Sequence, residues 1–331
     1  MTDWFRTARR SFLAATLCTL AAVALLTPSA QASWKDWAAG DVENEVAAGR
    51  IWSVADQVFL SPEELISRLS EARFVLLGEV HDNPDHHQLQ GYLIGRIAPN
   101  QRPAVVMEML SEDQEEALSV FDQLGEKSSG IFAEQVDWAG SGWPGFDLYR
   151  PVVDAALARN VSISAGLPGR QATRSVSAAG LVALDGGERA RLGLTDPLSP
   201  RQAAGLRAEI MASHCDLLPV EAIPNMSAVQ RFRDAYLADA LRQTPATGPA
   251  VLVAGKGHVR KDRGVPRYLK DANGSVATVM FEEVPENTTL AAVAGLFPRD
   301  TPADYIWLTR SIERDDPCLA LKNRFSGSGK P

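Results

Sequence analysis

Five short apolar runs punctuate the chain, at residues 74–77, 104–107, 161–165, 250–254 and 276–281, each closed by glycine or polar residues. Most lack the alternation of a strand with one wet face. Near-continuous Val, Ile and Leu marks a parallel strand buried on both sides. Residues 50–60 alternate weakly and read as a short hairpin. Helical patterns lie between the runs. Ser61-Pro62-Glu63-Glu64 is a capping box with proline at the first helical position, ahead of Leu65, Ile66 and Leu69 on one face. Asn83-Pro84 caps a second helix carrying Leu89, Leu93, Ile94 and Ile97. Ser111 with Gln114 opens a third, with Leu118, Phe121 and Leu124. Val152 to Leu157 continue another helix, and Ser227 begins one through Phe232, Tyr236 and Leu241.

Strands alternating with helices predict an α/β fold, a mostly parallel sheet with helices on both faces. Residues 169–211 break the rhythm with Ala, Arg and Gly and the turn signals Asp185-Gly186-Gly187, Pro197 and Pro200. This segment reads as a helical insertion over about 169–226. The domain expectation is therefore a single unit over 33–310 with a C-terminal tail at 311–331. The stretch 326–331 is low in complexity.

Residues 1–32 are expected to be removed. Arg6, Arg9 and Arg10 precede an apolar run at 12–26, and Ala30-Gln31-Ala32 is a small-x-small cleavage site. The run is shorter than the roughly 20 apolar residues a membrane span requires. Arg9-Arg10 suits a twin-arginine signal as well as a general secretory one, and the route stays open. Ala15-Thr16-Leu17 makes a poor lipobox before Cys18. The expectation is a soluble periplasmic protein. Its two remaining cysteines, Cys215 and Cys318, are expected to form a disulfide in an oxidising compartment. The alternative is a reactive or metal-binding Cys215 beside His214. A net charge of −8 argues against nucleic acid as a partner.

Parallel strands deliver their carboxyl ends to one edge of the sheet, where ligands bind. There the first run leads into Gly78-Glu79-Val80-His81, the second ends at Glu108, and the fourth leads into Gly255-Lys256-Gly257-His258. Glu79, His81, Glu108 and His258 are therefore expected to converge. Imidazole with carboxylate suits a divalent metal or acid–base catalysis. Gly78 and Gly257 would permit turns and close approach. His86 and His87 occupy successive helical positions about 100° apart, so one at most faces the site, and the other is expected in solvent. A haem pocket is allowed too, since haem needs an axial ligand, an apolar slot and cations for its propionates. Tyr149, Tyr236 and Tyr268 could supply a phenolate, Trp138, Trp143 and Phe146 a wall, and Arg150, Arg260 and Arg263 the cations. No covalent attachment motif is present, so any haem is non-covalent.

At these residues the chain resembles the ChaN-like haem-binding uptake family of the Tiki superfamily. The resemblance runs through Gly78-Glu79-Val80-His81-Asp82-Asn83-Pro84-Asp85-His86-His87, Glu108, Trp143-Pro144, Tyr149-Arg150-Pro151, His214-Cys215, Arg233-Asp234-Ala235-Tyr236 and Gly255 to Pro266, over roughly residues 50–285. It implies a haem- or iron-binding protein acting in uptake at a bacterial envelope. Cofactor contacts would then fall on His81, His86, Tyr149, Arg150, His258 and Arg260. The wider superfamily implies the alternative, a metal-dependent protease or esterase built on the Gly-x-x-His site. There Glu79, His81, Glu108 and His258 would hold a divalent ion, with Glu79 or Glu108 as general base. The missing lipobox departs from lipoprotein relatives. An envelope uptake partner and a homodimer stay open.

Overall fold

The computed structural model describes residues 46–270, 272, 274–316, 318 and 319. The expected signal at 1–32, the lead-in to 45 and the low-complexity end lie outside these residues. The weakly alternating segment forms a hairpin of β1 (Ile51–Ser53) and β2 (Val58–Leu60). The five apolar runs become β3 (Phe74–Glu79), β4 (Ala104–Ser111), β5 (Ile163–Leu167), β6 (Ala250–Gly255) and β7 (Val276–Val284). An eighth strand, β8 (Tyr305–Arg310), went unassigned in the sequence reading.

One eight-stranded sheet results, in the order β2-β1-β8-β7-β3-β6-β4-β5. Every pairing from β8 to β5 is parallel, and only the hairpin joins antiparallel. Side chains alternate between two cores. Val75, Leu77, Val105, Met107, Val251 and Val253 meet the helices Pro62–Ser70, Pro84–Ile94 and Phe146–Ala158. Phe74, Leu76, Val106 and Leu252 meet Phe232, Leu237 and Leu241 of the helix Ile223–Gln243. Burial on both faces is why these runs carry no polar alternation. The helices Pro84–Ile94 and Phe146–Ala158 cross closely at Gly91, where a Cβ would stand 2.5 Å from the Pro151 carbonyl oxygen.

Topology locates the cleft. After β3 the chain moves toward β4 and β5, whereas after β6 it moves toward β7 and β8. The adjacent strands β3 and β6 thus send their chains in opposite directions, and a crevice opens between such departures.

The Ser61 box and the Asn83 cap form as expected. The insertion is helical, comprising Arg170–Ala179, Gly186–Arg191 and Pro200–Ser213 before the long helix. That last helix starts at Ile223 rather than Ser227, because Pro224 fits its first turn and a 3-10 turn at Val220–Ala222 feeds it. Cys215 and Cys318 are disulfide-bonded, with Cα atoms 5.6 Å apart. The segment after β8 is tied down before it reaches that bridge. Arg314 donates to both carboxylate oxygens of Asp82 at 2.7 Å and reaches Glu283 at 2.6 and 2.7 Å. No helix among the described residues is long and apolar enough to cross a membrane.

Candidate binding cleft

Glu79 closes β3 with its carboxylate buried. Its Oε1 accepts from His81 Nδ1 at 2.9 Å and from the Tyr149 hydroxyl at 3.0 Å. Its Oε2 lies 3.1 Å from His87 Nδ1, within ion-pair reach but poorly aligned for a hydrogen bond. Burial alone would raise the Glu79 pKa, yet the cations at His87 and His81 outweigh it and hold the carboxyl well below its usual range. His87 faces acceptors on both sides, Gln90 Oε1 and Glu79 at Nδ1 and the His81 carbonyl at Nε2. Burial works against its charge, but Glu79 prevails and the His87 pKa rises. Such surroundings favour the imidazolium.

Glu108 sits in the irregularity where β4 slips against β5 between Met107 and Ser111. A bulge re-aims side chains. Here Glu108 Oε2 accepts from the Gly255 N–H at 2.7 Å, and Oε1 lies 3.1 Å from His258 Nε2. The other ring nitrogen of His258 stands 2.6 Å from Asp234 Oδ1. His258 is thus clamped between two buried carboxylates. Burial opposes its charge, but Glu108 and Asp234 together lift its pKa to about 10. Glu108 is correspondingly held at about 2, burial notwithstanding, while burial outweighs the attraction of His258 for Asp234 and raises it to about 6.

Glu79, His81, Glu108 and His258 therefore lie together across the ends of β3, β4 and β6. Gly255 permits it: a Cβ there would come within 2.9 Å of His81 Nε2. Gly78 likewise admits Val259, whose side chain would meet its Cβ at 2.3 Å. Neither Gly78 nor Gly257 adopts a left-handed turn, so close approach is the operative reason.

The four groups differ in access. The His81 side chain is 37% exposed and that of His258 only 7%. Trp143 stands edge-on to His81, with ring centroids 5.0 Å apart. Above them a cavity of about 560 Å³ is bounded by His81, the Gly255–His258 turn, Leu206 and Ile210 of the insertion, and Met226 and Val229 of the long helix. Arg233 lines both this cavity and a second lobe of about 410 Å³, which Glu108, Trp143, Arg170 and Arg174 also border.

Other expected contacts fall elsewhere. His86 is buried, accepting from the Val80 N–H at 2.9 Å and pairing with Thr309, and burial lowers its pKa to about 3. It anchors the loop after β3 against β8, and neither His86 nor His87 is solvated. Tyr149 is fully buried beneath Glu79, and burial together with that carboxylate raises its phenol far above the usual value, so no phenolate is offered there. Arg150 pairs with Asp147 and covers Phe146, and Arg260 pairs with Asp262; neither lines the cleft. Arg263 pairs with Glu209 and Asp262. Trp138 and Phe146 pack on one another, leaving Trp143 to face the cleft. Among the described residues no group of three or more His, Cys, Asp or Glu is arranged to hold a metal ion. The carboxylates instead face imidazole nitrogens directly. Asp234, Gln230, Arg170 and Arg174 escaped the sequence reading as site residues. The helical spacing of Met226, Val229, Gln230 and Arg233 was the available signal, since it puts them on one stripe.

Residues 65–269 match the family model described as haem-binding uptake, Tiki superfamily, ChaN. No curated protein sequence matches the chain. Among solved structures, ChaN of Campylobacter jejuni, described for cofacial haem binding, aligns with a TM-score of 0.62 and 20% identity, covering 78% of this chain and 95% of that one. The type III effector HopBA1 aligns at 0.42 and 11% identity over 75% and 92% of the two chains. An erythromycin esterase EreC mutant aligns at 0.38 and 13% identity over 82% and 86%.

Proposed function

Since the chain belongs to the ChaN family of haem-binding uptake proteins in the Tiki superfamily, we propose that it binds haem in the periplasm and serves haem or iron acquisition. One observation carries the reading. His81 is the partly exposed imidazole of the cleft floor, and its Nδ1 is engaged by buried Glu79, so Nε2 is the nitrogen left for a ligand. A carboxylate on the far nitrogen fixes the tautomer and orientation of a ligating histidine and raises its basicity. The residues present fit the group: Leu206, Ile210, Met226 and Val229 give an apolar wall, and Arg233 a cation. Haem, when bound, would supply an iron centre, and His81 would be the residue to hold it. The removable leader at 1–32 and the cysteine pair support an oxidising compartment outside the cytoplasm.

Hemin titration of the purified mature chain tests this. A shifted, saturable Soret band is expected, weakened at least roughly tenfold in His81→Ala, the lower end of what second-shell losses already cost a metal site. A chain that leaves the hemin spectrum unchanged overturns the proposal.

The same Glu79–His81 pair favours a second reading, hydrolysis. A carboxylate-oriented imidazole opening onto a cleft is the arrangement of a general base. On this reading His81 takes the proton from an attacking water, without the divalent ion first expected from the residue types. Turnover of ester or peptide substrates that persists in chelator and vanishes in His81→Ala would support it.

A further inference from the structure

Resting on the haem reading, we propose that the second lobe of the cleft is a carboxylate-binding site, built from Arg170, Arg174 and Arg233, which holds the anionic arms of the ligand. Arg170 and Arg174 stand one turn apart on the helix Arg170–Ala179, so both fall on the face that carries Thr173 into the lobe. Arg233 enters from the helix Ile223–Gln243 and borders both lobes. Neighbouring arginines are paired: Arg191 of the insertion to Asp239, and on the long helix Arg242 to Asp239 and Arg231 to the Leu194 and Asp196 carbonyls. The three guanidinium groups of the lobe have no ion pair or hydrogen bond to protein among the described residues.

The lobe contains one acid, Glu108, and it is already spent on His258 and the Gly255 N–H. Asp113 and Glu112 sit close by, but they accept from the Arg170 and Gly169 backbone N–H groups that open the helix. A concave surface with three uncompensated cations on a chain of net charge −8 is a local inversion of sign, which attracts anions. Guanidinium groups take carboxylates through paired N–H donors. Because Arg233 belongs to both lobes, a flat apolar ligand over His81 would extend its acidic arms into the second. These are not the arginines that residue type alone nominated.

The test compares hemin with hemin dimethyl ester, for the wild type and for Arg170→Gln/Arg174→Gln/Arg233→Gln, with circular dichroism confirming folding. Wild type should bind hemin at least roughly tenfold more tightly than the ester, since hydrogen bonds to charged groups exceed neutral ones. The triple variant should bind both alike, at the ester's affinity. Equal wild-type affinity for the two ligands, or an unchanged hemin affinity in the folded variant, overturns the lobe assignment and leaves haem binding standing. If wild type binds neither, the haem reading fails and glutarate decides the lobe by itself. Arginine-dependent thermal stabilisation by glutarate then sustains a carboxylate site, and none refutes it.

Discussion

Replacing His258 with alanine removes the cation from between Glu108 and Asp234, both buried. Breaking a buried pair by deleting one partner typically costs about 3–5 kcal/mol, because the remaining charge has lost its compensation. At roughly 2–4 °C per kcal/mol for a domain of this size, the melting temperature should fall by roughly 6–20 °C. His81→Ala provides the contrast. That side chain is 37% exposed, so its removal should cost no more than about 1 kcal/mol while weakening ligand binding. The burial of His258 and the exposure of His81 therefore make the two histidines unequal. The pH dependence follows in sign. His258 has a folded pKa of about 10 against an ordinary value of 6.5, so the native state binds more protons between those values. Its stabilisation is complete below about pH 6.5 and is lost as pH rises toward 10. Asp234, raised to about 6, is mostly ionised by pH 7, so most of the change above that pH belongs to His258. Wild type should therefore lose stability from pH 7 to 10, and His258→Ala should lose less. Thermal unfolding of both variants across that range is the assay. Equal melting temperatures for wild type and His258→Ala, with parallel pH profiles, would show that the imidazole is neither charged nor needed.

Reducing the Cys215–Cys318 bridge, which spans 103 residues, should destabilise the fold by up to about 4.7 kcal/mol in the chain-entropy model, measured by denaturation with and without reductant. Equal midpoints would sink it. Gly91→Ala should cost about 1–3 kcal/mol by forcing apart the two helices that cross at Pro151, again read from unfolding midpoints. Intact-mass analysis of periplasmic protein should give an N-terminus at Ser33; a lipid-modified Cys18 or a retained leader would overturn the soluble assignment.

The parallel core was legible because strands buried on both faces must be apolar throughout, and the five runs mapped onto β3 to β7. β8 was harder. Its apolar stretch is brief, and its place depends on pairing with β7 from Val279↔Tyr305 onward, which is a tertiary fact. The meeting of Glu79, His81, Glu108 and His258 was legible from topology, since every parallel strand ends on the same edge. Their division of labour was not. Whether an imidazole is a structural cation or an accessible ligand depends on what buries it. For His258 that is Asp234, on a helix distant in sequence, and for His86 it is Thr309 on the unassigned strand. The arginines of the second lobe were obscured for a related reason. Arginines on amphipathic helices look alike until the partners of each are known.

The charge balance of the floor suggests why so many groups sit beneath one accessible histidine. Glu79, Glu108 and Asp234 are buried carboxylates, and each must be neutralised or protonated. His87 and His258, with both ring nitrogens facing acceptors, supply positive charge, and the raised pKa of Asp234 lessens what remains. Burial lowers the pKa of His81, but hydrogen bonding to Glu79 and attraction to Glu108 more than offset it, and the net shift is upward. A proton on its Nε2 therefore competes with any ligand for that atom. Below its raised pKa the protonated ring cannot ligate, so ligand affinity through His81 should strengthen with pH until that proton is lost. The arginines, always charged, keep their attraction throughout. Hemin affinity measured from pH 6 to 9 should therefore rise in wild type and stay flatter in His81→Ala. Parallel profiles would mean that His81 does not meet the ligand, even if haem binds the cleft.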